Sequence, residues 1–306
     1  MKVKPAYRDV HGILLLDKPQ GLSSNQALQR AKRLFNARKA GHTGSLDPLA
    51  TGLLPICFGE ATKIAGYLLG ARKAYAAECR LGVTTTTDDA QGEFVQTRPL
   101  PALDNAAIEA AMALLRGRIT QTPPIYSALK QAGVPLYKRA RRGEDVQVPP
   151  RQVDVFRFDL IEREGADLRL HVECGSGTYV RSLARDLGEV LGCGAHLTAL
   201  RRLWVEPFRE PIMWTLEQLG EIAEDGFDKL DALLLPTEQG LSALPTLALS
   251  PEQAAQLQQG KRYTQTGLID CSLCCALDTQ GRLIALVEID ALGEVRVRRG
   301  FNSVAD

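Results

Sequence analysis

One carboxylate stands alone in a segment rich in glycine and proline. Asp47 lies within residues 41–52, whose sequence is GHTGSLDPLATG, and no other acidic residue occurs between positions 38 and 58. Pro48 restricts the backbone of Asp47 to extended conformations, and the surrounding glycines permit tight turns and close approach of the backbone. These properties suit a positioned, accessible carboxylate. The alternative is an aspartate whose side chain only closes a turn of the loop.

Other residue types that support catalysis form no complete constellation in this sequence. Cys271, Cys274 and Cys275 have the spacing of half a zinc site, but a closed site needs four ligands and no second Cys or His pair follows. We interpret them as structural thiols. The four histidines accompany no Gly-x-Ser-x-Gly nucleophile motif, and neither a Walker phosphate loop nor a Gly-x-Gly-x-x-Gly turn is present. The sequence therefore predicts no metal and no cofactor.

The net charge of +1 hides a strong asymmetry along the chain. Residues 1–210 contain 30 Lys and Arg against 22 Asp and Glu, whereas residues 211–306 contain 7 against 14. The basic excess is concentrated at positions 30–39, 138–142 and 201–202. Such clusters are typical of proteins that bind a polyanion, although any single cluster is also consistent with a solvated surface.

Length and composition indicate an ordinary globular protein. The 306 residues correspond to one large or two ordinary domains, and 45% hydrophobic with 24% charged residues is a usual composition for such proteins. No apolar run approaches the ~18 residues of a membrane span, and the run that ends at Asp17 is too short for a signal peptide. The seven cysteines are odd in number and show no disulfide spacing. We therefore expect a cytoplasmic protein with reduced thiols and no membrane association.

The elements that must position Asp47 follow from hydrophobic periodicity and turn residues. In the first part of the chain the pattern predicts strands over 12–17 and 73–81, helices over 23–35, 60–69 and 104–115, a long loop over 37–59 and a loop over 82–92. In the second part it predicts a hairpin of strands 153–160 and 168–174, a helix over 178–191, a strand over 197–205 and acidic helices over 215–235.

Two further features set the expected domain organisation. Residues 117–150 show no clear period and hold five prolines and a run of basic residues, so we interpret them as an insertion that extends from the fold. Near residue 240 both the sign of the charge and the type of element change, because a helix from Pro251 is followed by strands near 272–278, 282–290 and 294–299. We therefore predict a main domain of residues 1–240 and a small β-rich domain of residues 241–306.

Several collinear segments resemble one protein family, the bacterial tRNA pseudouridine synthase B (TruB) family. The segment around Asp47 resembles the family's catalytic motif. The likeness continues in residues 12–21 (GILLLDKPQG), 54–63 (LPICFGEATK), 125–130 (IYSALK), 177–181 (GTYVR), 191–197 (LGCGAHL) and 200–203 (LRRL). The C-terminal unit resembles the small PUA-type RNA-binding domain that such enzymes carry.

The resemblance implies both a fold and a reaction. The fold is α+β, with one large, mixed and mainly antiparallel sheet, flanking helices and the C-terminal PUA-like domain. The reaction is the isomerisation of uridine to pseudouridine at position 55, in the T loop of tRNAs. It needs no cofactor, because the glycosidic bond breaks, the uracil rotates and C5 is joined to C1′ without redox chemistry. The implied partner is the T-arm stem-loop of tRNA, with a monomeric enzyme and no protein partner required.

The resemblance also assigns roles residue by residue. Asp47 matches the catalytic aspartate, Tyr75 the tyrosine that stacks on the target base, and Arg181 the arginine that pairs with the catalytic carboxylate. The remaining matches are Tyr179 and Leu200, which line the uracil pocket, His42, which helps to hold the T loop open, and Lys18 of the first strand-turn motif. The insertion matches a segment that clamps RNA, and its basic residues Lys138, Arg139, Arg141 and Arg142 are the expected contacts to the RNA backbone.

Some alternatives stay open at this level. Asp47 could attack either C6 of uracil or C1′ of the ribose, and both attacks need the ionised carboxylate. The Tyr75 hydroxyl could also help to remove the C5 proton. A rival interpretation is a non-catalytic protein that binds or folds tRNA, which would not require the Asp–Tyr–Arg set. Thr86 stands where many family members carry an acidic residue. At that position this sequence therefore offers no acidic side chain that could lie near Arg181.

Overall fold

The computed structural model describes residues 7–127, 129–131, 134–136, 139, 142, 144 and 148–302. Lys138 and Arg141, two of the predicted RNA contacts, lie outside these residues. Within them, no helix combines the length and the hydrophobicity that crossing a membrane requires.

One eight-stranded sheet forms the centre of the fold. Its strands are β1 (Gly12–Lys18), β2 (Ala40–His42), β3 (Thr51–Phe58), β4 (Lys73–Leu81), β7 (Gly117–Gln121), β10 (Arg151–Glu164), β11 (Asp167–Cys174) and β12 (Ala195–Val205). The order is β1-β3-β12-β4-β11-β10-β7, and β2 pairs with β3. All pairs are antiparallel except β12 with β3, so the expected mixed, mainly antiparallel sheet is confirmed. The small pairs β5–β6 (Val83–Thr85, Phe94–Thr97) and β8–β9 (Lys130–Gln131, Val134–Pro135) lie off this sheet.

Helices flank this sheet, and three of those described begin at side-chain caps that the sequence offers. The described residues include α1 (Ser24–Leu34), α2 (Ala65–Leu69), α3 (Asn105–Ala113), α4 (Val180–Val190), α5 (Leu216–Glu224) and α6 (Phe227–Asp231), with 3-10 turns at Gly59–Ile64 and Thr237–Leu241. Ser23 caps α1 in a capping box with Gln26, and Asp104 caps α3 through the amide of Ala107. Such caps satisfy amide groups that the first turn of a helix leaves without partners.

The prediction of one long loop over residues 37–59 is wrong for most of its length. This stretch contains β2 and β3, and β3 is buried between β1 and β12. The sequence pattern does not predict this strand, because Gly52 and Pro55 are both unusual inside a strand. Gly52 has φ +92°, and a Cβ atom there would lie 2.2 Å from the carbonyl oxygen of Arg202. The glycine therefore permits close contact between β3 and β12.

The insertion also begins later than predicted. Residues 117–121 form strand β7, which pairs with residues 151–155 of β10 at the edge of the main sheet. In this short segment buried and exposed residues hardly alternate, and only Gln121 is fully buried. Its pattern therefore does not predict a strand. The predicted hairpin is confirmed as β10 and β11, which pair antiparallel from Val155 to Glu164.

The C-terminal residues form a second, five-stranded sheet. Its strands are β13 (Thr246–Ala248), β14 (Tyr263–Thr264), β15 (Cys271–Leu277), β16 (Leu283–Ile289) and β17 (Glu294–Gly300), with α7 (Pro251–Gln258) packed against it. The order is β13-β15-β16-β17-β14. The predicted helix and the three longer strands are confirmed, whereas the short strands β13 and β14 were not predicted.

The two sheets share a hydrophobic cluster. Ile13 and Leu15 of β1 pack in one cluster with Leu286 and Phe301 of the C-terminal unit. Lys63 donates a hydrogen bond of 2.9 Å to the carbonyl of Gly300, and the amide of Asn302 donates one of 2.8 Å to Glu60. The small unit is therefore packed against the back of β1 and β3.

The cysteine cluster belongs to this small unit. Cys274 and Cys275 are buried, and the Cys271 thiol donates a hydrogen bond of 3.1 Å to the carbonyl of Leu273. Burial raises the pKa of both Cys274 and Cys275 to about 11, so these thiols stay protonated at neutral pH. The described residues contain no group of three or more potential metal ligands.

Candidate active site

A cavity of about 320 Å³ opens on the main sheet where the loop before β3 meets the N-terminus of α4. Five of the residues predicted to act on the substrate line it: Asp47, Tyr75, Tyr179, Arg181 and Leu200. They come from four places in the sequence, namely the Gly-rich loop, β4, the start of α4 and β12. The fold thus brings together the residues whose chemistry the motifs suggested.

The loop that carries Asp47 is fixed by hydrogen bonds at both sides of the carboxylate. The Ser24 hydroxyl accepts from the Leu46 amide at 2.7 Å and donates to the Leu46 carbonyl at 3.0 Å. After the aspartate, the Pro48 carbonyl accepts from the amide of Gly21 at 2.8 Å. The Asp47 side chain is 41% exposed and faces the cavity. It is therefore an accessible carboxylate on an ordered loop, as predicted.

Arg181 pairs with this carboxylate. Its Nε atom lies 3.0 Å from Oδ2 of Asp47, and the arginine side chain is only 5% exposed. Nη1 donates to the carbonyl of Thr87 and Nη2 to that of Tyr126, both at 2.9 Å. Because backbone carbonyls fix the guanidinium plane, Arg181 in turn fixes the orientation of Asp47. Arg181 is therefore not part of an ion pair on the helix surface, because its side chain is buried.

Asp89 is a site residue that the sequence did not single out. Its carboxylate lies 3.6 Å from Nη1 of Arg181 and its side chain is 5% exposed. The hydroxyl of Thr87 and the amide of Gln91 donate to it at 2.5 and 3.0 Å. The adjacent Asp88 instead pairs with Arg185 at 3.0 Å. In the sequence, Asp88 and Asp89 are two consecutive acidic residues in a loop rich in Thr and Gly. Their positions alone do not show which of the two carboxylates points into the protein.

These neighbours set the ionisation of Asp47. Desolvation raises the pKa of Asp47 above its ordinary value, because the walls of the cavity exclude much of the surrounding water. The Arg181 guanidinium acts in the opposite direction, whereas the charge of Asp89 raises the pKa further. The carboxylate is thus less strongly hydrated than a surface aspartate while it keeps a cationic partner.

The walls of the cavity include two aromatic residues. Tyr75 is 7% exposed and lies on β4 between Val172 of β11 and Arg202 of β12. Burial raises its pKa to about 12, although the neighbouring Arg202 opposes this shift. Tyr179 precedes α4, and its backbone is held on both sides by the amide group of Gln121 at 2.8 and 3.2 Å. With Leu200, these rings form a cavity wall suited to a planar ring.

Two predicted substrate-binding residues lie outside the cavity wall. His42 is half-buried on β2, and its Nδ1 atom has no hydrogen-bond partner among the described residues. Burial lowers the pKa of His42, so its ring is neutral at neutral pH. Lys18 is fully buried and donates to the carbonyls of Pro19 and Leu22 at 2.9 and 2.6 Å. Burial lowers the pKa of Lys18 to about 8, and its direct contacts stabilise the turn after β1.

Of the four basic residues predicted to contact the RNA backbone, two are described, and both lie near Glu144. Nε of Arg139 lies 2.5 Å from Oε2 of Glu144, and Nη1 of Arg142 lies 3.8 Å from Oε1, with the Arg142 side chain 66% exposed. Among the residues that the structure describes as lining the cavity, neither Arg139 nor Arg142 is found. Their predicted role toward the RNA backbone therefore concerns a surface beside the site.

The cavity wall also contains three cationic residues to which the sequence motifs assigned no role toward the substrate. Lys73, Arg151 and Arg202 all line it. Arg151 packs its guanidinium 5.1 Å from the ring centre of Tyr179. Lys73 precedes Tyr75 by two residues on β4, and Arg202 follows Leu200 by two residues on β12, so the period-2 alternation of strands places each pair on one face. That alternation was the signal available in the sequence.

This arrangement combines a weakly hydrated carboxylate, a fixed cationic partner and an aromatic wall. A carboxylate in such a setting can form a covalent bond to an electrophilic carbon. The wall can hold a planar heterocycle by stacking. The site is therefore suited to reactions in which a base or a sugar carbon is attacked by Asp47.

Two family models match this chain. Residues 32–180 match "TruB family pseudouridylate synthase (N terminal domain)", and residues 181–242 match "tRNA pseudouridylate synthase B C-terminal domain". Together the two matches contain every residue of the cavity described above.

Similar proteins agree with these matches. The chain is 55% identical to a tRNA pseudouridine synthase B of Xanthomonas campestris pv. campestris (strain B100), over 99% of this chain and 98% of that protein. It is 48% identical to a tRNA pseudouridine synthase B of Stutzerimonas stutzeri (strain A1501), over 99% of both chains. A solved structure described as an H/ACA RNP bound to a substrate RNA containing 2′-deoxyuridine superposes with a TM-score of 0.74 at 25% identity, covering 95% of this chain and 85% of that one.

Proposed function

This chain belongs to the TruB family of pseudouridylate synthases, and we propose that it isomerises uridine to pseudouridine at position 55, in the T loop of tRNAs. The observation that carries the proposal is the Asp47–Arg181 ion pair at 3.0 Å inside a cavity with an aromatic wall. The relatives named above support tRNA as the substrate.

The target uridine must leave its stack before Asp47 can reach it. Extrusion of a base costs a few kcal/mol, and an aromatic face restores ~1–3 kcal/mol through stacking. Tyr75 supplies that face in the cavity. We assign to Tyr179 and Leu200 the opposite contacts with the ring, and to His42, half-buried outside the cavity wall, the space that the base leaves in the T loop.

Asp47 then acts as the nucleophile. Its carboxylate attacks either C1′ of the ribose or C6 of the uracil, and the glycosidic bond between N1 and C1′ breaks in the course of the reaction. The uracil turns within the cavity, C5 forms the new bond to C1′, and the bond between Asp47 and the substrate breaks, which restores the free carboxylate. The C5 proton leaves and N1 gains a proton, so the reaction is an isomerisation with no external reactant. Arg181 holds the carboxylate in its reactive orientation throughout.

The rest of the molecule binds the tRNA. We propose that residues 1–240 act as the catalytic domain and that residues 241–306 act as a PUA-like RNA-binding domain. Within the catalytic domain, the part of residues 117–150 that follows β7 would clamp the T arm, with Lys138, Arg139, Arg141 and Arg142 at its phosphates. The excess of basic residues in 1–210 supports this assignment, because phosphate contacts supply most of the sequence-independent affinity for RNA.

We further propose that the enzyme works as a monomer in the cytoplasm without a protein partner. This proposal rests on the resemblance to the family described above. Sedimentation of the purified protein with and without tRNA tests it. A dimer that persists at nanomolar concentration would contradict the monomer.

The second candidate function is tRNA binding or folding without catalysis. The basic surface would serve that role, but the Asp47–Arg181 pair would have no purpose in it. Mapping of pseudouridine by reverse transcription, after treatment of an unmodified tRNA with the purified protein, separates the two. The proposed function predicts one new pseudouridine at position 55 and none in a transcript with cytidine there. Tight binding without any new pseudouridine would favour the second function.

A further inference from the structure

The back of the cavity carries more positive charge than the mechanism above uses. Lys73 and Arg202 line the cavity beside Tyr75, and they are 7% and 0% exposed. Both lie next to Gly44, because a Cβ atom on Gly44 would stand 3.6 Å from Cε of Lys73 and 3.7 Å from Nη1 of Arg202. The two side chains therefore form one cationic patch, which we call the Lys73–Arg202 patch.

No carboxylate neutralises this patch in the part of the chain that the structure describes. Neither Lys73 nor Arg202 forms an ion pair there, and the nearby carboxylate of Asp47 is paired with Arg181. Two other ionisable neighbours are neutral at neutral pH, since burial raises the pKa of Cys174 to about 11 and that of Tyr75 to about 12. A buried charge without a counter-ion is destabilising, so the patch is expected to serve an anion that arrives with the substrate.

The hydrogen bonds of the patch leave donors for such an anion. The Lys73 ammonium donates to the carbonyls of Leu69 and Ala71 at 3.2 and 2.7 Å, which uses two of its three protons. Arg202 donates through Nε to the carbonyl of Leu53 and through Nη2 to that of Gly44, at 2.6 and 3.2 Å, and also forms a hydrogen bond with the Tyr75 hydroxyl, so part of its five N–H groups stays available. Backbone carbonyls thus fix both cations before any substrate binds, as electrostatic preorganisation requires.

We infer that the Lys73–Arg202 patch binds the oxygen atoms of the uracil ring and stabilises the negative charge that develops on the ring during the reaction. The inference rests on the proposed function. It holds for either attack by Asp47. Attack at C1′ breaks the N1–C1′ bond and leaves its electron pair on the uracil, delocalised over O2 and O4. Attack at C6 moves the electrons of the C5=C6 bond to O4 as an enolate.

A phosphate group of the RNA is the other anion of suitable charge. The depth of the patch favours the base, because Arg202 is fully buried and Lys73 nearly so, and an extruded base is the part of the nucleotide that enters a cavity. The two sources predict different defects. Loss of a phosphate contact weakens tRNA binding and reduces its salt dependence, whereas loss of a contact to the charged ring lowers the rate at saturating tRNA.

The test compares Lys73→Met with the wild type in single-turnover reactions on a T-arm hairpin RNA. Removal of one preorganised donor lowers rates by about 100-fold or more, so the variant should lose about 100-fold on uridine while its affinity for the hairpin is unchanged. The second substrate carries 5-fluorouridine at the target position. Fluorine withdraws electrons and thereby stabilises negative charge on the ring without help from the protein. On this substrate we therefore expect Lys73→Met to consume the nucleotide less than about tenfold more slowly than the wild type does.

Three results would overturn the inference: a wild-type rate in the variant, an equal loss on both substrates, or a loss confined to affinity, which indicates the phosphate. The matched control is Lys63→Met, since Lys63 is a partly buried lysine that contacts Glu60 and Gly300 outside the cavity, and it should keep the wild-type rate. Inactivity of the wild type on uridine would instead refute the proposed function itself.

A second measurement does not depend on the folding of the variant. In a structure of the wild type with the 5-fluorouridine hairpin, O2 or O4 of the ring should lie within hydrogen-bond distance of Lys73 Nζ or the Arg202 guanidinium. Uracil oxygens that are bonded only to other groups would contradict the inference.

Discussion

Nε of Arg181 lies 3.0 Å from Oδ2 of Asp47, while the other two nitrogens of the guanidinium donate to the backbone carbonyls of Thr87 and Tyr126. The arginine is therefore fixed by the protein backbone and not by the aspartate alone. This explains how a side chain on a glycine-rich loop can keep one orientation in a cavity that must admit a nucleotide.

This geometry predicts how the activity depends on pH. The pKa of Asp47 is raised above its ordinary value of 3.8, and only the ionised form attacks, so the rate should rise with pH through a midpoint above that value. Arg181 lowers this pKa and Asp89 raises it. A carbon-13 titration of the Asp47 carboxyl should therefore give a higher midpoint in Arg181→Met than in the wild type, and a lower one in Asp89→Asn. The same midpoint in all three proteins would show that neither neighbour acts on Asp47.

Tyr75 allows stacking to be separated from the chemistry of its hydroxyl. Tyr75→Phe keeps the aromatic wall but removes the hydroxyl beside Arg202, whereas Tyr75→Leu removes both. We expect Phe to keep the affinity for tRNA, because the ring still stacks, and to lose about 100-fold in rate only if the hydroxyl removes the C5 proton, which is the size of a typical proton-transfer contribution. Leu should lose affinity as well. Filter binding and single-turnover assays give the two quantities, and a wild-type rate for Phe would limit the role of Tyr75 to stacking.

Much of the fold could be predicted from the sequence, for identifiable reasons. The capping residues Ser23 and Asp104 mark the starts of their helices, and the alternation in β10 and β11 gives the hairpin. Strand β3 could not be predicted, because the glycine at position 52 is explained only by its close contact with the backbone of Arg202. These two residues lie far apart in the sequence. Local patterns carry no information about such a contact.

The candidate site could likewise be predicted only in part from the sequence. Asp47 stands out because its loop contains no second acid, and the resemblance to the TruB family supplied Tyr75 and Arg181. The inward position of Asp89 and the cationic character of the cavity's back wall depend on how separate strands and loops meet. The family motifs placed Lys18 and His42 near the substrate, but neither residue lines the cavity among the described residues.

The contact at Gly52 predicts a loss of stability. An alanine there would place its Cβ 2.2 Å from the Arg202 carbonyl at φ +92°, so Gly52→Ala should destabilise the protein by about 2 kcal/mol or more. The matched control is Gly70→Ala, where φ is −76° and the nearest atom to a Cβ is 3.8 Å away. That variant should stay within about 1 kcal/mol of the wild type. Urea unfolding of both variants checks the prediction, and equal stabilities would contradict the close approach of β3 to β12.

The basic residues of the insertion should act through phosphates. Replacement of Lys138, Arg139, Arg141 and Arg142 together by Ala should weaken tRNA binding and flatten its dependence on salt, because fewer counterions are released. Single-turnover chemistry at saturating RNA should change much less. Fluorescence titrations at several salt concentrations provide the measurement. An unchanged dissociation constant and salt slope would show that the RNA path lies elsewhere, and the basic residues of positions 30–39 are the next cluster to test.

The most direct test of the account is the Asp47→Asn variant. The amide is nearly isosteric with the carboxylate but cannot act as the nucleophile, so the variant should fold, bind tRNA with the wild-type affinity and form no pseudouridine at position 55 above background. Release of tritium from 5-tritiated uridine in a tRNA transcript measures the reaction, and the binding assay on the same preparation shows that the protein is intact. A rate within tenfold of the wild type, a difference of less than about 1.4 kcal/mol in the barrier, would contradict the role of Asp47 and with it the proposed mechanism.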